Sequence, residues 1–174
     1  VVATQNPLEQ QGTYPLPEAQ LDRFLFKQTL GYPSREEERR IVAEYGVQAG
    51  HVDPAARGVG RAVTAKQLDE AHKAVAAVRL TDEIVGYVLD LVRSTRETPD
   101  LASGASPRAA AQLALAARSR AALDGRDYAI PDDVKALALP LLRHRVILSP
   151  AAEIDGRRPD QILQGLVDLA AAPR

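Results

Sequence analysis

The chain has 174 residues and a net charge of −1, with 45% hydrophobic and 26% charged residues, which is ordinary for one globular domain or one domain with part of another. Aromatic residues make up only 4%, so the core must consist of Ala, Val, Leu and Ile, which favours close-packed helices. The absence of cysteine excludes disulfides, thiolate metal sites and cysteine nucleophiles. The balanced charge gives no electrostatic reason to expect a nucleic-acid partner, and no apolar run is long enough to predict a membrane span.

The first 31 residues read as a strand-containing segment. Residues 1–4 are β-formers and predict a buried strand, residues 5–15 predict a loop, residues 18–23 a short helix and residues 24–30 a second strand. Two short strands cannot form a domain alone. We therefore interpret this segment as the remnant of a larger α/β domain. In the isolated chain we expect it to be mobile or to pair through an exposed strand edge. The chain also contains no Met, which favours a piece of a longer protein.

After residue 31 the pattern becomes helical. Ser34 and Glu37 form a capping box, which predicts a helix ending near Tyr45, and residues 46–60 read as a linker. Further helices are predicted over residues 64–78, from residue 82 to before Pro99, over 107–124, from 131 to Pro140 and over 159–171, with a short strand at 146–148. The sequence thus predicts a mostly α fold, divided into residues 1–31 and 32–174.

The chain taken alone has no recognisable catalytic centre. It contains no G-x-x-x-x-G-K-[ST] phosphate loop and no nucleophile elbow. The three histidines lie far apart without metal-ligand spacing, so we predict no metal site.

Three polar residues could nevertheless serve a phosphate site. Arg108 lies in the first turn of a predicted helix, where an anion such as phosphate would offset its unfavourable position in the helix dipole; a solvated surface arginine is the alternative. Arg23 follows a short helix, and an ion pair with Glu18 or Asp22 is its alternative interpretation. Asn6 lies at a predicted strand end, where an amide could hold a water, or where Asn-Pro simply forms a turn.

Three stretches resemble one family in order along the chain. ATQNPLEQQGTYPLPEAQLDRF (residues 3–24) resembles the sensor 1 and arginine-finger region of the MoxR family of AAA+ ATPases. GASPRA (residues 104–109) resembles its sensor 2, and DGRDYAIPDDVKALALPLLRHRV (residues 124–146) resembles its lid domain. The resemblance implies a helical AAA+ lid domain, a helical bundle, preceded by a remnant of the α/β P-loop ATPase core.

The resemblance also implies roles for the three residues. Asn6 matches sensor 1, which orients the attacking water. Arg23 matches the arginine finger, which acts in trans on a neighbour's nucleotide. Arg108 matches sensor 2, which contacts phosphate; whether it acts within its own subunit or on a neighbour stays open. Such positioned charges are what phosphoryl transfer requires.

For the intact protein, the resemblance implies a cytoplasmic ATP hydrolase that uses ATP and Mg²⁺ and assembles into rings, usually hexamers. Family members act as chaperones that remodel partners or insert metal cofactors, often together with von Willebrand A domain proteins. The fragment lacks the phosphate loop and the Mg²⁺-binding motif, so we expect it to bind no cofactor and to be inactive alone.

The alternative is a non-catalytic helical protein-interaction module. Five arginines could give it a basic face: Arg118, Arg120, Arg126, Arg143 and Arg145. A DNA-binding role is less favoured because the sequence has no clustered basic stripe.

Overall fold

A computed structural model describes residues 1–5, 17–46 and 58–173, and the regular structure in these ranges is mostly helical. The helices are α1 (Glu18–Leu21), α2 (Arg35–Tyr45), α3 (Ala65–Ala77), α4 (Asp82–Glu97), α5 (Pro107–Leu123), α6 (Pro131–Leu142), α7 (Pro150–Ile154) and α8 (Pro159–Leu169). Two short antiparallel strands, β1 (Leu101–Ser103) and β2 (Ile147–Leu148), pair with each other. The predicted mostly α fold is confirmed.

The chain divides into two compact units. The larger unit comprises Val1–Lys27 and Val75–Arg174, and the smaller unit comprises Gln28–Ala74. Our division into residues 1–31 and 32–174 stays a prediction.

The core of the larger unit is aliphatic, as the composition predicts. Helices α4, α5, α6 and α8 enclose five fully buried leucines: Leu91, Leu113, Leu141, Leu142 and Leu163. The buried face of α5 consists largely of alanine, which lets neighbouring helices approach closely. The Thr81 hydroxyl accepts a hydrogen bond from the Ile84 N–H and caps the first turn of α4, as predicted.

A buried carboxylate joins α5 to α6. The Asp133 side chain, only 2% exposed, accepts two hydrogen bonds from Arg126, at 2.8 and 2.7 Å. The Ile130 N–H donates a third at 2.9 Å, and Arg120 lies 3.5 Å away. Burial acts to raise the pKa of Asp133, but these hydrogen bonds and charges outweigh it and the pKa is lowered.

The smaller unit confirms the predicted capping box. The Ser34 N–H and hydroxyl both donate to Glu37 Oε2, at 2.8 and 2.7 Å. These bonds lower the pKa of Glu37. Helix α2 has no buried side chain, however, and Leu68 on α3 is exposed although the sequence predicts it in an apolar stripe.

Both predicted strands of the N-terminal segment are wrong. Residues 1–4 have no regular secondary structure and are exposed, and residues 24–30 are irregular as well. A strand needs a partner for its backbone groups. Among the described residues, neither segment has a neighbouring strand, and the Lys27 N–H instead donates to the Pro140 carbonyl in α6.

Several boundaries also differ from the prediction. Helix α6 continues past Pro140 to Leu142, and the last helix ends at Leu169 rather than at residue 171. Strand β1 and helix α7 were not predicted, because each is too short to carry a periodic pattern.

Candidate functional site

Arg108 lies at the start of the long helix α5. Ser106 precedes the helix and its side chain accepts a hydrogen bond from the Ala109 N–H at 3.4 Å, while Pro107 occupies the first helical position. The Arg108 side chain is exposed and forms no ion pair within the described ranges. It is therefore free to meet an anion from outside.

The turn before Arg108 is fixed against the end of α4. The buried Thr95 hydroxyl accepts a hydrogen bond from the Ala105 N–H at 2.9 Å, and Arg96 Nε donates to the Ala105 carbonyl at 2.7 Å. At Gly104 a Cβ atom would stand 2.4 Å from the Thr95 carbonyl oxygen. Only glycine fits this approach, which sets the position from which α5 and Arg108 begin.

Arg23 lies just after α1 with an exposed side chain. Its neighbour Asp22, which the alternative interpretation offers as an ion-pair partner, instead accepts a hydrogen bond from Arg145 Nε at 2.9 Å. Arg23 has no ion pair among the residues that the structure describes. Like Arg108, it presents an uncompensated cation at the surface of the larger unit.

The third candidate, Asn6, lies outside the described residues. Its sensor 1 role therefore stays a prediction.

The structure also identifies two residues that the sequence did not single out as site residues. The Arg145 side chain is 1% exposed and donates hydrogen bonds to acceptors on residues 22–25. His144 Nε2 donates to the Phe24 carbonyl at 3.0 Å. The sequence carried only a weak indication, three basic residues directly after an apolar helix, and we assigned Arg145 to a surface.

Burial lowers the pKa of both residues. For Arg145, the pairing with Asp22 partly offsets burial, and repulsion from Arg108 adds to the lowering. For His144, burial is the main cause, and the hydrogen bond to Phe24 opposes it. Arg145 Nη2 also donates to Gln112 Oε1 on α5, the helix that carries Arg108.

The basic face proposed for an interaction module rests on arginines that make contacts within the chain. Each of its five arginines has a partner in the structure. Arg118 donates to the backbone carbonyls of Val78 and Ala76. The others pair with carboxylates: Arg120 and Arg126 with Asp133, Arg143 with Asp160, and Arg145 with Asp22.

No group of three or more potential metal ligands occurs in the ranges 1–5, 17–46 and 58–173. Over the same ranges, none of the helices has the length and apolar character that a bilayer crossing requires.

Comparison with known families supports the resemblance seen in the sequence. The model for the AAA lid domain matches residues 93–166, and that for the ATPase family associated with various cellular activities matches residues 1–26. Chaperone MoxR1 of Mycobacterium tuberculosis is 41% identical over 184 residues, which is 100% of this chain and 47% of the relative. The chain belongs to the MoxR family of AAA+ ATPases. It corresponds to the C-terminal portion of such an ATPase.

Other relatives agree with this assignment. The uncharacterised protein YeaC of Bacillus subtilis is 39% identical over 99% of this chain and 52% of its own length. A crystal structure from Cytophaga hutchinsonii, of a protein provisionally described as an ATPase, matches with a TM-score of 0.83 at 32% identity, over 98% of this chain and 53% of that one. The MoxR-family chain thus spans about half the length of the relatives it matches.

Proposed function

We propose that this chain is the C-terminal part of a MoxR-type ATPase that hydrolyses ATP in an oligomeric ring. Residues 1–31 would belong to the α/β core, and residues 32–174 would form the linker and the helical lid. The intact ring, a hexamer in this proposal, would use ATP and Mg²⁺ in the cytoplasm. It would remodel partner proteins or insert metal cofactors, with von Willebrand A domain proteins as candidate partners.

One observation carries the proposal: the larger unit exposes two arginines, Arg23 and Arg108, that have no ion pair among the described residues. Arg23 would act in trans as the arginine finger on a neighbour's nucleotide, and Arg108 would contact phosphate as sensor 2. Both positions suit the phosphates of ATP, because an unpaired guanidinium is a strong donor to phosphate oxygens.

Asn6 would orient the attacking water as sensor 1. ATP with its Mg²⁺ supplies the phosphoryl group and the leaving group when bound. The described residues include no carboxylate cluster for Mg²⁺, so we assign no Mg²⁺ ligand to this chain. The chain's own contribution is to place charge: Arg23 and Arg108 stabilise the negative charge that develops on the transferred phosphoryl group.

The test is to replace Arg23 by Ala in the full-length ATPase and to measure ATP binding and turnover side by side. We expect binding to survive and turnover to fall by about 10³-fold or more, the range known for arginine fingers. Arg79→Ala is the matched control, because Arg79 is an exposed arginine that pairs with Asp127. Unchanged turnover in Arg23→Ala would refute the finger assignment.

The alternative of a non-catalytic interaction module receives no support from a particular observation. Of the five arginines in its proposed basic face, four pair with carboxylates and Arg118 donates to backbone carbonyls. An intact protein without measurable ATP turnover would be the result that favours it.

A further inference from the structure

Arg145 is a nearly fully buried guanidinium with an unusual set of partners. Removing an arginine from water is costly unless its donors are satisfied. Its Nε donates to Asp22 Oδ1 at 2.9 Å, Nη2 to the Asp22 carbonyl at 3.0 Å and Nη1 to the Leu25 carbonyl at 3.1 Å. The Phe24 carbonyl accepts a further bond from Nη2. These acceptors lie on both sides of Arg23 in the chain.

The same segment is held at further points by the end of α6. The last four carbonyls of this helix, residues 139–142, have no partner within the helix itself. The Pro140 carbonyl accepts from the Lys27 N–H at 2.8 Å, and the Leu141 carbonyl accepts from the Arg145 guanidinium. The Leu139 and Leu142 carbonyls accept from the N–H groups of Arg143 and Arg145, so Lys27 supplies one of the four donors at this helix end. We expected residues 1–31 to be mobile or to pair with another copy through an exposed strand edge, whereas residues 22–27 form hydrogen bonds to Arg145 and Pro140 of the same chain.

Arg145 also reaches the helix that carries Arg108. Its Nη2 donates to Gln112 Oε1. Gln112 follows Arg108 by four residues on α5, so the two side chains lie on the same face of that helix. The buried Arg145 side chain thus contacts the segment of Arg23, the end of α6 and the face of α5 that carries Arg108.

We propose that Arg145 is a positioning residue that fixes the arginine-finger segment to the helical lid. Because Arg145 contacts both the residues that flank Arg23 and Gln112, one turn along α5 from Arg108, a displacement of the lid by bound nucleotide is transmitted to the finger that the same subunit offers to its neighbour. The inference rests on the proposed function and deepens it.

The chemistry of the contact explains why an arginine is needed. A lysine has three donors on one atom, whereas the planar guanidinium has five donors directed along fixed lines. Acceptors on residues 22–25, on Gln112 and on Leu141 lie in several directions around Arg145. Retaining the charge alone would not preserve the contact.

The test uses the full-length ATPase with Arg145→Met and Arg145→Lys, and with Arg23→Ala for comparison. We expect both Arg145 variants to bind ATP normally and to lose about 10²-fold in turnover, as a misplacement of about 1 Å at a catalytic group can cause. Arg79→Met is the control: it removes an exposed arginine that pairs with Asp127 in the same unit, so turnover should stay near that of the unaltered protein.

A mixing experiment separates positioning from a general defect. Subunits with Arg145→Met keep their own nucleotide site, and subunits with the phosphate-loop lysine replaced keep an intact finger segment. Mixed rings should therefore regain turnover that neither variant shows alone. A loss that mixing does not restore would place the defect within the variant's own site and overturn the proposal.

A milder variant covers the case in which Arg145→Met does not assemble. Asp22→Asn keeps the shape of the side chain and removes its charge, so turnover should also fall. The double variant with both Asp22→Asn and Arg145→Met should have no lower turnover than Arg145→Met alone. Unaltered turnover in Asp22→Asn, with Arg23→Ala inactive, would refute the role of Arg145. Full activity in Arg23→Ala would instead refute the proposed function.

Discussion

At the scale of single residues, the His144 imidazole shows how burial selects a protonation state. Its Nε2 must donate, because the Phe24 carbonyl can only accept. Its Nδ1 is buried and has no hydrogen-bond partner among the described residues. A second proton would place a charge on this nitrogen, close to the cations of Lys27 and Arg145 and opposed only by Asp22. The folded state therefore holds the neutral ring.

The lowered pKa of His144 predicts a loss of stability on acidification. The unfolded chain takes up a proton near pH 6.5, before the folded chain does. The contribution of the neutral His144 ring to the free energy of unfolding is therefore complete above that pH. It is lost as the pH falls below it, by at most about 1.4 kcal/mol per pH unit. Urea unfolding of the chain at pH 7.5 and pH 5.5 measures the effect.

His144→Gln is the matched control for this prediction. The Gln amide nitrogen can occupy the place of Nε2 and donate to Phe24, but it does not titrate. The variant should therefore show a smaller fall in stability between the two pH values. An equal fall in both proteins would assign the pH dependence to other groups.

At the scale of elements, the close approach of Gly104 to the end of α4 sets the start of α5. We expect Gly104→Ala to lower the free energy of unfolding by about 1–3 kcal/mol, because the added methyl meets the Thr95 backbone. Gly86→Ala is the control: Gly86 lies inside α4 with nothing within 4 Å of its Cβ position. That change should stabilise the chain by about 0.5–1 kcal/mol. Thermal or urea unfolding compares the two, and equal shifts would contradict the steric argument.

The elements also show what local sequence can and cannot predict. The starts of α2, α4 and α5 follow from Ser34, Thr81 and Ser106, because a capping side chain acts within three residues. The two N-terminal strands were wrong because strand formation depends on a partner that local sequence cannot supply. The burial of Arg145 could not be predicted from local sequence either, because its acceptors on residues 22–25 lie about 120 positions earlier in the chain.

The candidate site was predictable only in part, and for the same reason. Their positions beside predicted helices made Arg23 and Arg108 candidates, the resemblance to family motifs gave them roles, and the structure gives both an exposed side chain without an ion pair among the described residues. The local sequence gave only a weak indication of Arg145, the run of basic residues after an apolar helix. A contact between distant segments requires the fold, whereas a motif is read from neighbouring residues.

At the scale of the whole molecule, Arg23 and Arg108 belong to one compact unit. Each subunit would then serve two nucleotides if Arg108 contacts its own and Arg23 contacts a neighbour's. The connection through Arg145 would let the state of the first nucleotide influence hydrolysis of the second. Hydrolysis would in this way depend on assembly, since a lone subunit receives no finger.

This dependence gives the last prediction. In the full-length ATPase at saturating ATP, turnover per subunit should rise with protein concentration over the range in which sedimentation shows that rings form. Arg23→Ala should assemble over the same range yet stay low throughout, because its rings contain no finger. If turnover per subunit is instead constant while rings dissociate, the catalytic arginine acts within its own subunit. Residues 22–27 would then align the local nucleotide, and Arg145 would hold a group that never crosses a subunit boundary.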